Sequence, residues 1–318
     1  MKSQLITVFG ASGLLGRNAV RLLADGGLGY RIRAAVRHPN LANFLPPMGH
    51  VGQIQVLKCD VTDADAAAQA VRGAEAVVNL VGILHQGGGH QTFEALHVEA
   101  AESVARAAKA AGARALVHVS ALGADSDSDS AYARSKAEGE RRVHAAFPGA
   151  VILRPSLVFG PEDNFFNRFG AMARMSPLLP LIGGGMTRFQ PVFAGDVATA
   201  IKTCIENTGC AGKTYELGGP GVYTFKDLMQ IILRETGRHN LLVPVPFFAA
   251  TLMSWFLGLL PNPPLTPDQV RLLRKDNVVS PGALTFADLG IQPDAVEAIV
   301  PSYLWRFRPK GQYETIAP

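Results

Sequence analysis

Residues 5–16, LITVFGASGLLG, constrain this chain more than any other stretch. An unbroken apolar run suits a strand buried on both faces, as in a parallel sheet. Gly10, Gly13 and Gly16 follow in a G-x-x-G-x-x-G spacing, and a helix is expected to run from there to about Ala24. Strand, glycine turn and helix in that order open a dinucleotide-binding βαβ unit. Gly10 permits the tight turn, Gly13 lets a pyrophosphate approach the backbone, and Gly16 lets the helix pack against the strand. The helix N-terminus then offers free N–H groups and a partial positive charge to the phosphates. The candidate cradle is Gly10, Ser12, Gly13, Leu14, Leu15, Gly16 and Arg17.

The pattern continues. YRIRAAVR (30–37), QIQVLKCD (53–60) and AEAVVNLVG (74–82) read as the second to fourth strands. A helix over 92–112 stops at Gly112, RALVHVSA (114–121) is the fifth strand, another helix carries Tyr132, and AVILRPS (150–156) is the sixth strand. Such alternation predicts an α/β fold, a Rossmann-type doubly wound parallel sheet with a smaller C-terminal lobe. Residues 1–160 are expected to form an NAD(P)-binding domain and 161–318 a smaller substrate or interaction lobe. Part of the second half, about 189–205, is expected to return to the sheet, while TYELGG (214–219) reads as an isolated strand.

The end of the second strand discriminates between cofactors. A site for NAD(H) places an acid there to accept from the ribose 2′-OH. Here Arg37 stands at that position, and a guanidinium suits a 2′-phosphate, so NADP(H) is expected rather than NAD(H). Asp60, with Val61 beside it, is placed to meet the adenine edge, and Leu80, Val81 and Gly82 to wall the nicotinamide side. Pro155, closing the sixth strand, completes the expected cofactor contacts.

Ser120 ends the fifth strand, Tyr132 follows, and Lys136 lies four residues beyond on the same helix face. A serine hydroxyl can orient a carbonyl. A tyrosine can move a proton, provided a neighbour lowers its pKa from about 10. Lys136 would lower it and also hold the nicotinamide ribose. These three are the candidate catalytic residues, with Tyr132 and Lys136 also candidate cofactor contacts.

The glycine turn, Ser120, YARSK (132–136) and LRPSLVFGPEDNFFNRF (153–169) resemble an atypical extended short-chain dehydrogenase/reductase. More narrowly, ARMSPLLPLIGGGMTRFQPVF (173–193), VRLLRKDNVVS (270–280) and SYLWRFRPKGQY (302–313) resemble the Rossmann-fold accessory subunit family of respiratory complex I, NADH:ubiquinone oxidoreductase. That resemblance implies a tightly held NADPH with a structural role beside the quinone end of the complex. It carries family cofactor contacts onto Gly10, Ser12, Gly13, Gly16, Arg37, Tyr132 and Lys136. Two functions are therefore expected as alternatives. One is an NADP(H)-binding accessory or assembly protein of complex I. The other is an active reductase or epimerase acting on a small carbonyl, quinone or sugar-nucleotide through Tyr132 and Lys136.

Composition excludes other classes. The 318 residues carry a net charge of +4 with no Lys/Arg block, so nucleic acid is not an expected partner. Three scattered cysteines, with no C-x-x-C, argue against a disulfide framework and point to a reducing compartment. DSDSDS (125–130) mimics a calcium loop, but Ser130 and Lys136 stand where Gly and Glu are needed, so no metal is expected and Ser130 is instead expected to cap the Tyr132 helix. No signal or transit peptide is expected, and the expected location is the cytoplasm, or peripherally the cytoplasmic face of the inner membrane (the matrix side in mitochondria). The apolar run 247–260 would reach roughly 21 Å as a helix, short of the ~30 Å bilayer core. Lobe core, docking on a partner subunit and lying on a membrane are its alternatives. Exposure of at least two of its aromatics is expected, with Arg306 and Arg308 of the C-terminal tail meeting an acidic partner or lipid headgroups.

Overall fold

The computed structural model describes residues 4–25, 29–258 and 263–313. The chain divides into two compact units, Met1–Pro155 with Ala194–Leu217 and Gly282–Ile291, and Ser156–Phe193 with Gly218–Pro281 and Gln292–Pro318.

The first unit runs β1 (Leu5–Phe9), α1 (Leu14–Asp25), β2 (Arg31–Val36), β3 (Ile54–Lys58), α2 (Ala64–Ala70), β4 (Ala76–Asn79), α3 (Ala100–Ala110), β5 (Ala115–Val119), α4 (Ala131–Ala146), β6 (Val151–Pro155), α5 (Ala194–Glu206) and β7 (Thr214–Leu217). Its seven strands make one sheet in the order β7-β6-β5-β4-β1-β2-β3, parallel at every pairing. The order reverses between β1 and β4, and the carboxyl ends there form the crevice in which such sheets bind ligands. The strands are apolar on both faces because helices cover both. Ile6, Val8, Ile32, Ala34, Val77, Val78, Val117 and Ile152 are all buried.

One helical layer joins α1 to α5, the other α2, α3 and α4. Alanines set the second layer close to the sheet, with Ala67, Ala70, Ala100, Ala101, Ala105 and Ala108 in one core cluster. Asp63 caps α2, and Ser130 caps α4 by accepting from Ala133 N–H, as its position before the helix predicts. Two elements differ from the sequence expectation. TYEL is β7, paired with β6 in the register Leu153–Tyr215, because Tyr215 and Leu217 are buried in the sheet's flank. The expected single helix over 92–112 begins as a π-turn, Glu94–Glu99, before it becomes α3.

The second unit is built on aromatics. Phe159, Phe166, Phe225 and Tyr303 are buried together, with Phe165, Phe169, Phe189 and Phe193 packed against them. Helix Phe225–Thr236 starts in a Thr224/Asp227 capping box and ends at Gly237, whose φ of 61° is left-handed. Two of the family-like motifs act as internal latches. Asn277 accepts from Gln190 N–H and from Ser156 Oγ, and donates its N–H to Arg188 O. Buried Tyr303 donates to Asp163 Oδ2 at 2.7 Å, while Asp163 also accepts from Gly160 and Phe165 N–H groups.

Helix Phe247–Leu257 buries Ala250 and Ser254, while Phe248, Trp255 and Phe256 are 76%, 69% and 69% exposed. The expectation of at least two exposed aromatics is met within this helix, although Leu259 and Leu260 of the same run lie outside the described residues. The tail arginines also bind groups within their own unit, and Arg306 is at the same time exposed. Arg306 donates to Pro161 O and Asn167 Oδ1, and Arg308 to Glu235 O, because the tail folds onto its own unit and its guanidiniums satisfy carbonyls there.

Candidate functional site

The glycine turn has the geometry its spacing predicts. Gly10 has φ +75°, and a Cβ on Gly16 would stand 2.2 Å from Gly10 O, so α1 approaches β1 only because position 16 lacks a side chain. Gly13 is exposed at the mouth of the turn and donates its N–H to Gly10 O at 3.1 Å. Leu14 and Leu15 begin α1. Arg17 donates to Ser12 O at 3.2 Å and lies over the Phe44 ring at 4.5 Å, so its guanidinium is held beside the turn.

Arg37 leaves β2 into a cavity of about 440 Å³, lined also by His38, Pro39, Asn40, Leu41 and Lys58. Two side chains that carry a fixed positive charge thus face one space. Asp60 is exposed, and its carboxyl is held below the usual range by the Thr62 N–H and hydroxyl, which both donate to Oδ1. Val61 beside it is buried. Leu80, Val81 and Gly82 form a strap at the end of β4. Pro155 is buried at the end of β6, where its carbonyl accepts from Leu122 N–H.

Ser120, Tyr132 and Lys136 come from the end of β5 and the first turns of α4. Ser120 is 5% exposed, and its hydroxyl has no hydrogen-bond partner among the described residues. A buried orphan hydroxyl costs stability, so it points to a ligand role. Lys136 is 4% exposed, with Nζ 3.4 Å from Val119 O, and a Cβ on Gly82 would lie 3.1 Å from that nitrogen. Burial lowers its pKa to about 8, with Glu140 opposing. Burial also raises the Tyr132 phenol above its ordinary value, although part of the residue reaches solvent. Desolvation thus opposes the expected lowering of that phenol and keeps it neutral in the free protein.

Around this set lie polar groups that stand out little in the sequence. Asn79 Nδ2 donates to His118 Nδ1 at 3.2 Å, and Asn79 Oδ1 accepts from Val81 N–H. His97 and Ser135, both buried, bond at 2.9 Å. Burial and the neighbouring Lys136 charge drive the imidazoles down, His97 to about 2 and His118 to about 3. Both rings are thus neutral near pH 7, and Lys136 is the cation among them. Asn79 and His118 break apolar strand runs, which is the one sequence signal that marks them. Lys58 has none, because a strand-end lysine reads as a solvated surface residue.

A glycine turn that excludes Cβ atoms, an open helix N-terminus, a cationic cavity at the end of β2 and an orphan hydroxyl at the end of β5 fit a bound dinucleotide. Among the described residues no group of His, Cys, Asp and Glu could hold a metal ion, and no helix is long and apolar enough to cross a membrane.

The sequence model of the NAD dependent epimerase/dehydratase family matches residues 6–218. The Arabidopsis thaliana protein named NADH dehydrogenase [ubiquinone] 1 alpha subcomplex subunit 9, mitochondrial, is 36% identical over 320 residues, covering 96% of this chain and 78% of that protein. A Caulobacter vibrioides protein named ceramide reductase is 34% identical over 178 residues, 56% of this chain and 54% of that one. Among solved structures, the NADPH-dependent quinone oxidoreductase QOR2 of Escherichia coli, complexed with NADPH, superposes with a TM-score of 0.75 at 22% identity, covering 94% of this chain and 99% of that one. That last likeness bears on the fold alone.

Proposed function

The chain belongs to the NAD dependent epimerase/dehydratase family, and from that premise we propose that it is an NADP(H)-binding accessory or assembly protein of respiratory complex I, with the nucleotide held largely as a structural cofactor. One observation carries the reading. The likeness to the plant complex I subunit extends over 96% of the chain, well past residue 218 where the family model stops. The added region contains the Asn277 and Tyr303 latches and the helix that exposes Phe248, Trp255 and Phe256. An exposed aromatic helix face is costly in water and suits a partner or a membrane surface. Arg271, Arg274 and Lys275 follow on the segment packed against it, so an acidic subunit or anionic lipid headgroups fit there. Such docking would make the protein peripheral.

NADP(H) rather than NAD(H) is supported by Arg37 and Lys58 around one cavity and by the absence of an acid at the end of β2. In this reading Gly10, Ser12, Gly13 and Gly16 hold the pyrophosphate and Lys136 the ribose.

The orphan Ser120 hydroxyl favours a second reading, a reductase of a carbonyl substrate. When bound, the nucleotide supplies a hydride. Ser120 Oγ would orient the carbonyl oxygen and Tyr132 would give it a proton. The relative named ceramide reductase is compatible with that chemistry.

The deciding experiment isolates the protein from its own cells under mild conditions and asks three things. These are whether NADPH co-purifies, whether complex I subunits accompany it, and whether a carbonyl and quinone panel oxidises the nucleotide. Retained, unoxidised NADPH with complex I subunits is expected. Rapid turnover with no such subunits would favour the reductase, and a protein that neither retains nor oxidises NADPH would overturn both.

A further inference from the structure

His97 sits where two parts of the nucleotide site meet. It lies in the π-turn Glu94–Glu99, and π-turns inside helices recur at functional positions. Its Nε2 accepts from Ile83 N–H at 3.0 Å, so the ring proton is on Nδ1, which donates to Ser135 Oγ at 2.9 Å. Ser135 Oγ donates in turn to Tyr132 O at 2.8 Å. The Tyr132 ring meets the imidazole edge-on at 5.4 Å, and Phe93 stacks on the imidazole at 5.2 Å while meeting Tyr132 edge-on at 5.8 Å. A Cβ on Gly139 would fall 2.0 Å from His97 O, so the π-turn and α4 touch backbone to backbone. The strap Leu80–Ile83 is thus tied through one rigid ring to the turn that carries Tyr132 and Lys136.

We propose that His97 is a positioning residue which, by bridging Ile83 N–H to Ser135 Oγ, sets the nicotinamide half of the nucleotide cradle. The assignment rests on the nucleotide-binding reading above. A neutral imidazole suits the task because it accepts on one nitrogen and donates on the other, across a gap spanned by a rigid side chain. An apolar residue of similar size would leave the Ile83 N–H unpaired, and the strap would no longer be held to α4.

The test compares NADPH with adenosine 2′,5′-bisphosphate, which lacks the nicotinamide half, on the full chain and on His97→Leu, His97→Gln and Ser135→Ala. His97→Leu should weaken NADPH by about tenfold, the scale of one buried unpaired donor. It should leave the bisphosphate affinity unchanged. His97→Gln keeps an acceptor toward Ile83 and should recover most of the loss, while Ser135→Ala should lower NADPH affinity alone. Equal loss of both ligands, no loss of either, or a glutamine no better than leucine overturns the assignment. If His97→Leu does not fold, the same comparison on His97→Gln and Ser135→Ala decides. A wild-type protein that binds neither ligand overturns the nucleotide reading itself, whereas one that binds both while the folded variants do not discriminate overturns only the role of His97.

Discussion

Lys58 stands opposite Val36 in the β2–β3 register, one residue before Arg37, and with Arg37 it lines one cavity. Neighbouring parallel strands therefore bring two side chains with fixed positive charge to the place where the ribose of a dinucleotide bound to this sheet would lie. Neither position supplies an acceptor for a ribose hydroxyl.

The consequence is measurable as a cofactor ratio. Charge-assisted hydrogen bonds contribute about 1.5–3 kcal/mol each, so the wild type should bind NADPH at least about tenfold more tightly than NADH. Arg37→Asp should narrow or reverse that ratio, and Lys58→Ala should reduce it by less. Titration of nucleotide-free protein by fluorescence is sufficient. Equal affinities in the wild type would remove the basis for NADP(H).

Lys136 makes the free protein sensitive to alkaline pH in a particular direction. Burial holds its folded pKa at about 8, against an ordinary 10.5. Below pH 8 folded and unfolded chains are both charged there, and the full penalty of the buried ammonium stands. Between those values only the unfolded chain keeps the proton, so stability rises with pH. From pH 7 to 9.5 the wild type should gain about 2 kcal/mol relative to Lys136→Met in urea unfolding. Parallel pH profiles for the two proteins would show that this lysine is not desolvated.

What could be read in the chain and what could not divide along physical lines. The glycine turn, the strand alternation and the spacing of Tyr132 and Lys136 are local signals, because a turn or a helix face is set by near neighbours in sequence. The β7 strand depends on pairing with β6 from sixty residues earlier, and four residues of alternating pattern do not announce that. The π-turn is equally hidden. It lies where Gly139 approaches His97 O, a contact that joins segments forty residues apart. Arg306 and Arg308 look like surface charges, and only the folded tail reveals the carbonyls they bind.

Tyr132 and Lys136 should separate on substitution. Tyr132→Phe removes the proton donor but keeps the ring against His97, so NADPH should remain bound. Any carbonyl reduction should fall by ~10²-fold or more, the usual scale for a lost general acid. Lys136→Ala should weaken nucleotide retention more than Tyr132→Phe does. If no substrate oxidises NADPH and Lys136→Ala alone releases it, the pair is a cofactor clamp. A Tyr132→Phe protein that keeps full turnover would remove the tyrosine from the chemistry.

The aromatic helix tests the partner reading most directly, because its two faces make opposite predictions. Ala250 and Ser254 are 1% and 0% exposed, so Ala250→Asp should cost about 2 kcal/mol or more by burying a charge. Trp255 and Phe256 are both 69% exposed, and Trp255→Glu with Phe256→Ser should move unfolding by no more than about 0.5 kcal/mol per site. That double variant should nevertheless lose association, read as co-fractionation with complex I and as sedimentation with anionic vesicles. Loss of the first alone identifies a protein partner, and loss of the second alone a lipid surface. A double variant that unfolds would place these rings in the core. One that melts normally and still co-fractionates would leave the exposed face without the role assigned to it.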